Sequence, residues 1–485
     1  MRPCVLLSAG LLQLLVLGCG CPDLEDPAAP PAGLQETASC RDAPQGPRVT
    51  IAGRSFCGLR EAPVDPVLGD YHDEVRDGFE LDVDGFTRAM NAALAASGPR
   101  GYAWTLVQAN RPAAEQVVAA GSGGVAATRG DAGGFADVAF TPATPSNIGS
   151  VTKWLAAIGL VHAYERSTRG LPPDERFSFR QLLSAPFFEF LPARWQRRYA
   201  TDNGLRTVSV GQLLTHTSRL VSVERDRDVE DILESLEYNA GVAALADNQL
   251  GYANINYRLL YLVIGALLDP AALRAVEDDG AEQSPCEFDD LYMRTAATIT
   301  RAHFEGELFA AVPGGMPGTD CDPEAFGGDW AARIAWAYRD QRDGAGSTYN
   351  SLRANRGYCS TTGGYYSSSA DLAALAHAYH NGLITAPNRA ILEGGGGMGW
   401  FILGRAPVPF GDPELDAATM IPGLLRKHGA QPVDGTDDLY QASVYKLPYG
   451  HYLALTVNSG YADGSSTTQR TLEVVAAFAA AFTLQ

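Results

Sequence analysis

The sequence predicts an α+β protein in which one sheet is assembled from both ends of the chain. Strand patterns appear early, at Tyr102–Val107 and Gln116–Ala120, and again late, at Leu439–Leu447 and Tyr452–Val457, while helical periodicity dominates between them. With 485 residues, 46% of them hydrophobic, the chain has apolar surface for one large domain or two smaller ones, and a two-lobed globular protein is the expectation. A formal net charge of −19 would repel a phosphate backbone, so nucleic acid is not an expected partner.

The first eighteen residues carry one charged side chain, Arg2, ahead of the apolar run Val5–Gly18. That run is too short for a bilayer core of about 30 Å and reads as an export signal. Val16-Leu17-Gly18-Cys19 resembles a bacterial lipobox, although Leu17 stands where a small residue is often found. Residues 1–18 are therefore expected to be a lipoprotein-type signal peptide. Cys19 would carry the lipid, anchoring the exported chain at the cell envelope, on the periplasmic or outer-membrane face. Residues 19–39 turn to Pro, Ala, Asp and Glu and suit a tether, and residues 40–78 are turn-rich. Beyond Cys4 and Cys19, six cysteines remain at 21, 40, 57, 286, 321 and 359. Fifteen pairings are open to them; Cys40 with Cys57 is favoured, because they flank one short Gly- and Arg-containing segment.

The main domain is expected over 79–485. Its first helix spans Val83–Ser97, with Phe86, Met90 and Leu94 on one face and Gly98-Pro99 as the stop. The two early strands form a hairpin, and a Gly-rich loop then leads to a helix running from Ser150 to about Arg166, with an apolar stripe at 151, 154, 155, 158 and 161. A second helical region begins at Val208–Ser218, and an apolar helix spans Tyr257–Leu268, ended by Asp269-Pro270. Residues 270–350, rich in Asp, Glu and Gly, read as a less regular insertion with short helices. Gly363–Leu372 leads into a helix that Asn381-Gly382 closes, and Thr468–Phe482 is a final amphipathic helix.

Chemistry enters at Ser150-Val151-Thr152-Lys153. Residues three apart share a helix face, so the Ser150 hydroxyl and the Lys153 amine fall within reach of one another in the first turn, where the helix dipole favours an alkoxide. Lysine is scarce here: of 37 basic residues only Lys153, Lys427 and Lys446 are lysine. A chain that uses arginine nearly everywhere keeps lysine where an amine able to lose its proton is required. Neither Gly-x-Ser-x-Gly nor a phosphate-binding glycine loop occurs, which argues against an α/β-hydrolase or a nucleotide enzyme.

Further elements follow in a telling order: Leu213-Leu214-Thr215-His216-Thr217-Ser218, Tyr252-Ala253-Asn254 and Lys427-His428-Gly429-Ala430, with Gly363-Gly364 to Asp371-Leu372 and Gly399-Trp400 as structural signatures. Together they resemble the serine β-lactamase and penicillin-binding-protein superfamily, in its branch of class C β-lactamases, D,D-peptidases and esterases, over about residues 80–485. Two departures stand out. Arg219 replaces the glycine that usually follows the His-Thr-Ser element, and no Ser-Asp-Asn occurs, which makes class A the poorer match.

The resemblance implies an antiparallel sheet flanked by helices, packed against an all-α lobe, with the active site between. It makes Ser150, Lys153 and Tyr252 catalytic and makes Asn254, Lys427 and His428 substrate-binding. The third element reads either as Lys-x-Gly beginning at Lys427 or as His-x-Gly beginning at His428; the first is favoured, because it keeps glycine where a strand passes close to a ligand. The backbone N–H groups of Ser150 and Ala430 would then form the oxyanion hole.

Singly, each residue has an ordinary reading: Ser150 as a helix N-cap, Lys153 as a snorkelling side chain, Tyr252 as half-buried, Asn254 as a turn residue, and Lys427 and His428 as strand-edge residues. His216 reads as structural, and His377 with His380 as surface residues without a zinc motif. The expected function is an exported serine hydrolase acting through an acyl-enzyme on an ester or amide, with no cofactor or metal. A class C β-lactamase and a silent cell-wall-peptide-binding lipoprotein are the alternatives.

Overall fold

The computed structural model describes residue 40 and residues 48–62, 79–131, 136–199, 204–222, 229–240, 251–280, 283–339, 346–349, 359, 361–394, 398–402, 425–433, 436–461 and 467–484. The expected signal peptide, Cys19 and the tether lie outside the described residues.

Among the described residues seven strands make the main sheet: β1 (Gly101–Gln108), β2 (Val117–Ala127), β3 (Val138–Ala139), β4 (Phe401–Ile402), β5 (Leu425–Pro432), β6 (Leu439–Leu447) and β7 (His451–Val457). Their spatial order is β3-β2-β1-β7-β6-β5-β4, and every neighbouring pair is antiparallel. The centre is the β1–β7 pairing, in register from Gln108 opposite His451 to Tyr102 opposite Val457, so the two ends of the domain meet as the sequence predicts. A short pairing of Phe79–Leu81 with Phe482–Leu484 ties them a second time.

Alternation sorts the strand side chains onto two cores. Trp104, Leu106, Tyr445, Leu453 and Leu455 face α1 (Val83–Ser97) and the closing helix Thr467–Ala481. There the Phe86 ring meets Trp104 edge-on at 5.5 Å and Phe478 at 6.1 Å. The Asp82 carboxylate accepts from Gly85 N–H at 2.8 Å to start α1, and Gly98, at φ 60°, ends it. Val107, Ala442, Val444 and Ala454 face the larger, helical core.

At the heart of that second core is α2 (Thr152–Thr168), preceded by a 3-10 turn at Gly149–Val151. Residues Thr152 to Val161 are all buried, so the predicted apolar stripe understates the burial. The helix is covered all round: Trp154 packs on Tyr379 and Trp400 at 6.1 and 5.1 Å, and a side chain at Gly159 would strike the Phe304 ring. Leu260–Leu268 and the 19-residue helix Pro285–His303 complete the lobe.

That long helix corrects the expectation of a less regular insertion with short helices for the part of 270–350 that ends at His303. Pro270–Asp279 and Pro285–His303 are two capped helices, started by Asp269 and by a Ser284–Glu287 capping box, and they bury Leu273, Phe288, Tyr292 and Met293 in the core. Their polar composition belongs to the outward faces. Cys40 is disulfide-bonded to Cys57, as favoured, and Cys321 to Cys359. His377 is buried rather than at the surface, with Nε2 2.9 Å from the Arg111 carbonyl.

Because Ile158 is fully buried in the middle of α2, Ile158→Ala should destabilise the domain by about 2–5 kcal/mol, seen as a lower urea midpoint at unchanged slope. A loss below about 0.5 kcal/mol would show that α2 is not central to the core.

Candidate active site

Ser150 lies in the 3-10 turn that opens α2, and two glycines hold that turn against β5. Gly149 has φ +48°, and a Cβ there would come within 2.8 Å of the Ala430 backbone. A Cβ at Gly429 would fall 2.2 Å from the Ile148 carbonyl and 2.5 Å from the Ser150 nitrogen. Only glycine permits so close an approach, so the backbones of Gly149-Ser150 and Gly429-Ala430 lie side by side.

Lys153 is completely buried, and its Nζ meets three acceptors: Ser150 Oγ at 3.1 Å, Asn254 Oδ1 at 2.9 Å and the Thr362 carbonyl at 2.7 Å. An ammonium would donate to all three. A neutral amine would donate to Asn254 and Thr362 and turn its lone pair to the serine hydroxyl, so either protonation state fits without a lost hydrogen bond. Tyr252 Oη lies 2.8 Å from Ser150 Oγ on the other side, and Lys153 Nζ sits 5.0 Å from the centre of its ring. Three expected residues thus converge on one hydroxyl, Lys153 and Tyr252 directly and Asn254 through Lys153, and the Ala430 backbone lies beside the turn that carries it.

Tyr252 is 46% exposed, which opens the serine to solvent. It borders a cleft of about 450 Å³ lined by Arg219–Ser222 and Gly251–Asn254. The buried His216 ring lies against Tyr252 at 4.3 Å and Tyr257 at 5.1 Å. Its Nδ1 accepts from the Ala253 N–H at 3.4 Å and lies 3.1 Å from Asn256 Nδ2. Burial, assisted by the charges of Lys427 and Lys153, pushes the His216 imidazole well below its ordinary value, so it is neutral and backs Tyr252.

Lys427 and His428 separate. Lys427 lies on β5 opposite Val444, facing the helical core, buried, with Nζ 5.8 Å from the Tyr252 ring centre. His428 is opposite Ser443, on the other face, with Nδ1 3.2 Å from Ser443 Oγ. The substrate-binding expectation for His428 is therefore corrected: strand alternation turns its imidazole from the side where Lys427 meets Tyr252. The geometry fits the Lys-His-Gly register, with Lys427 towards Tyr252 and Gly429 against the serine turn.

Sequence reasoning missed two partners. The Thr362 carbonyl is a backbone acceptor with no side-chain signal. Tyr257, whose ring centre lies 5.9 Å from Lys153 Nζ, was legible only as the start of a helix. Among the described residues one group has metal-ligand spacing, Glu305 with Cys321 and Cys359, but both sulfurs are engaged in a disulfide.

The β-lactamase family model matches residues 86–397, more than half of the chain. The chain belongs to the β-lactamase family. No curated protein sequence matches it. A β-lactamase from Sulfitobacter sp. EE-36 is 17% identical with a TM-score of 0.53, the match covering 82% of this chain and 98% of that one. A class C β-lactamase from Rhodobacter sphaeroides is 15% identical with a TM-score of 0.51, over 81% and 99%. A D-alanine carboxypeptidase from Burkholderia cenocepacia is 17% identical with a TM-score of 0.50, over 82% and 98%. The fold of the serine β-lactamase and penicillin-binding-protein superfamily is thus shared along most of the chain.

Burial, reinforced by the charges of Lys153 and Arg426, pushes the Lys427 ammonium from its ordinary 10.5 down to about 8, against an opposing pull from Tyr252. Between about pH 8 and 10.5 the folded protein therefore binds fewer protons at this site than the unfolded chain. The penalty for burying the charge is complete below pH 8 and fades as pH rises to 10.5. Lys427→Met should raise the urea midpoint at pH 7 and raise it progressively less towards pH 10.5. A gain that does not change with pH would mean packing, not charge burial, governs the site.

Proposed function

We propose that this β-lactamase-family protein is an exported serine hydrolase that forms an acyl-enzyme from an ester or amide. One observation carries the reading: a single hydroxyl, Ser150 Oγ, lies within hydrogen-bond reach of both Lys153 Nζ and Tyr252 Oη at the head of a buried helix. A serine acting only as an N-cap would not need a fully buried lysine and a half-exposed tyrosine aimed at its oxygen.

In this reading Ser150 Oγ attacks the carbonyl carbon while its proton passes to the Lys153–Tyr252 pair. Negative charge gathers on the carbonyl oxygen, which the Ser150 and Ala430 N–H groups receive. The pair returns the proton to the leaving oxygen or nitrogen as that bond breaks. Water then attacks the ester by the reverse path and frees the acid. Asn254, its Oδ1 held by Lys153, offers Nδ2 to an amide of the acyl group, and Lys427 supplies positive charge beneath Tyr252 for a substrate carboxylate.

Esterase or D,D-peptidase-like activity ranks above a class C β-lactamase because the third element is a loose match in either register, departing from Lys-Thr-Gly at His428 and from His-x-Gly at Ala430. The silent peptide-binding alternative is disfavoured by the complete hydroxyl–amine–phenol contact set. Export and lipid attachment rest on the apolar start and the Gly18-Cys19 junction.

Ser150→Ala should abolish labelling by a fluorophosphonate or a fluorescent penicillin while leaving unfolding within about 1 kcal/mol of wild type. Retained turnover would exclude Ser150 as the nucleophile. Lys153→Arg keeps the charge but cannot cycle through a neutral amine, and single-turnover acylation should drop about 10²-fold. Acylation within about threefold of wild type would leave Tyr252 as the base. In cells fed a labelled fatty acid, Cys19→Ser should lose the lipid label; equal labelling would refute the anchor.

A further inference from the structure

We infer that the Cys321–Cys359 disulfide is a positioning element of the reaction, holding the Thr362 carbonyl against Lys153 Nζ and so aiming the amine at Ser150. The inference rests on the serine-hydrolase reading and adds two positioning residues to the same site.

Of the three acceptors around Lys153 Nζ the Thr362 carbonyl is the nearest, at 2.7 Å, against 2.9 Å for Asn254 Oδ1 and 3.1 Å for Ser150 Oγ. A lysine amine ends a flexible stem, so its acceptors decide where it points. Asn254 is placed by the helix it begins, Asn254–Arg258, and Ser150 by the glycine contacts with β5. The carbonyl is placed by the segment that carries it.

That segment is tied at both ends to two adjacent residues. Asp320 and Tyr366 donate to one another's carbonyls at 3.2 and 2.8 Å, and Cys321, next in the chain, is bonded to Cys359. The chain from Cys359 to Tyr366 is thus closed by hydrogen bonds at one end and by a covalent bond at the other. The anchor is itself fixed to the helical lobe, where Arg301 donates to Asp320 at 3.1 Å and to Glu305 at 2.6 Å. At the Tyr366 end the segment reaches the serine turn, with Asn147 opposite Tyr366 and the Ile148 N–H donating to the Tyr365 carbonyl at 2.9 Å. Towards Cys359, Thr361 Oγ1 donates to the Tyr257 carbonyl at 2.7 Å. Cys321, Cys359, Thr361 and Thr362 are all buried. Breaking the covalent tie gives the Cys359 end freedom, and a displacement of about 1 Å takes a carbonyl out of hydrogen-bond range. Misplacing a catalytic group by about that much lowers a rate by up to about 10²-fold.

The test is single-turnover acylation of the full chain by 4-nitrophenyl butyrate. Cys321→Ala/Cys359→Ala should acylate about tenfold or more slowly than wild type, with the loss in the rate constant and not in the half-saturating ester concentration, because the carbonyl acts on Lys153. Removing the other disulfide by Cys40→Ala/Cys57→Ala should lower the melting temperature and leave acylation within about twofold of wild type. A Lys153→Arg background separates aiming from general loosening: a guanidinium cannot take the serine's proton wherever it points, so there the Cys321→Ala/Cys359→Ala pair should change the residual rate by less than about twofold. If the alanine pair does not fold, a glycine inserted between Ser360 and Thr361 keeps the disulfide but slackens the segment, and should itself slow acylation about tenfold. Acylation within about threefold of wild type in the alanine pair, or in the insertion variant where the pair does not fold, would overturn this inference and leave the hydrolase reading intact. So would an equal loss in the wild-type and Lys153→Arg backgrounds. Failure of the wild type to acylate would overturn both.

Discussion

The site depends on one buried amine. Lys153 lies at the foot of α2, with no exposed surface, and its three hydrogen bonds reach three separate parts of the chain: the serine turn, the Tyr-x-Asn segment at Asn254 and the backbone at Thr362. An unpaired ammonium at such depth would cost several kcal/mol, so the segments that supply acceptors are drawn together by the need to satisfy it. The same contacts let the proton leave without breaking the arrangement, because two acceptors suffice for a neutral amine and the third partner, a hydroxyl, is able to donate. In the proposed mechanism the structural anchor and the proton carrier are one atom.

Around that atom the two cores meet. The serine turn is the start of a buried helix, and β5 presses against it through Gly149 and Gly429, so the Ser150 hydroxyl is placed by helical lobe and sheet together. Tyr252 is held from behind by His216, which is neutral because it is buried between tyrosine rings with cations nearby. The tyrosine is half exposed at the cleft while its buried side lies against the His216 ring.

Much of this was legible in the residues. The strands at both ends gave the sheet its order, since a hairpin near Tyr102 and another near Tyr452 can share one core only by pairing. Ser150, Lys153, Tyr252 and Asn254 could be named because their side chains carry the chemistry. Thr362 was invisible because a carbonyl belongs to every residue, and position alone makes this one matter. His428 was misplaced because a tripeptide says which residues are adjacent but not which face each takes; that follows from the pairing of Lys427 with Val444 and of His428 with Ser443. Residues 270–303 were underestimated because their acidic outward faces dilute the apolar spacing at Leu273, Phe288 and Tyr292.

The economy of lysine has a consequence outside catalysis. All three lysines are buried: Lys153 and Lys427 at the site, and Lys446 in an ion pair with Glu393 at 2.7 Å. The remaining basic side chains are guanidinium groups, so the folded exterior presents no lysine amine. Acylating and alkylating reagents that modify exposed lysines, including the sugars and aldehydes that glycate ageing proteins, find none on the native surface, and the appearance of lysine adducts marks molecules that have opened.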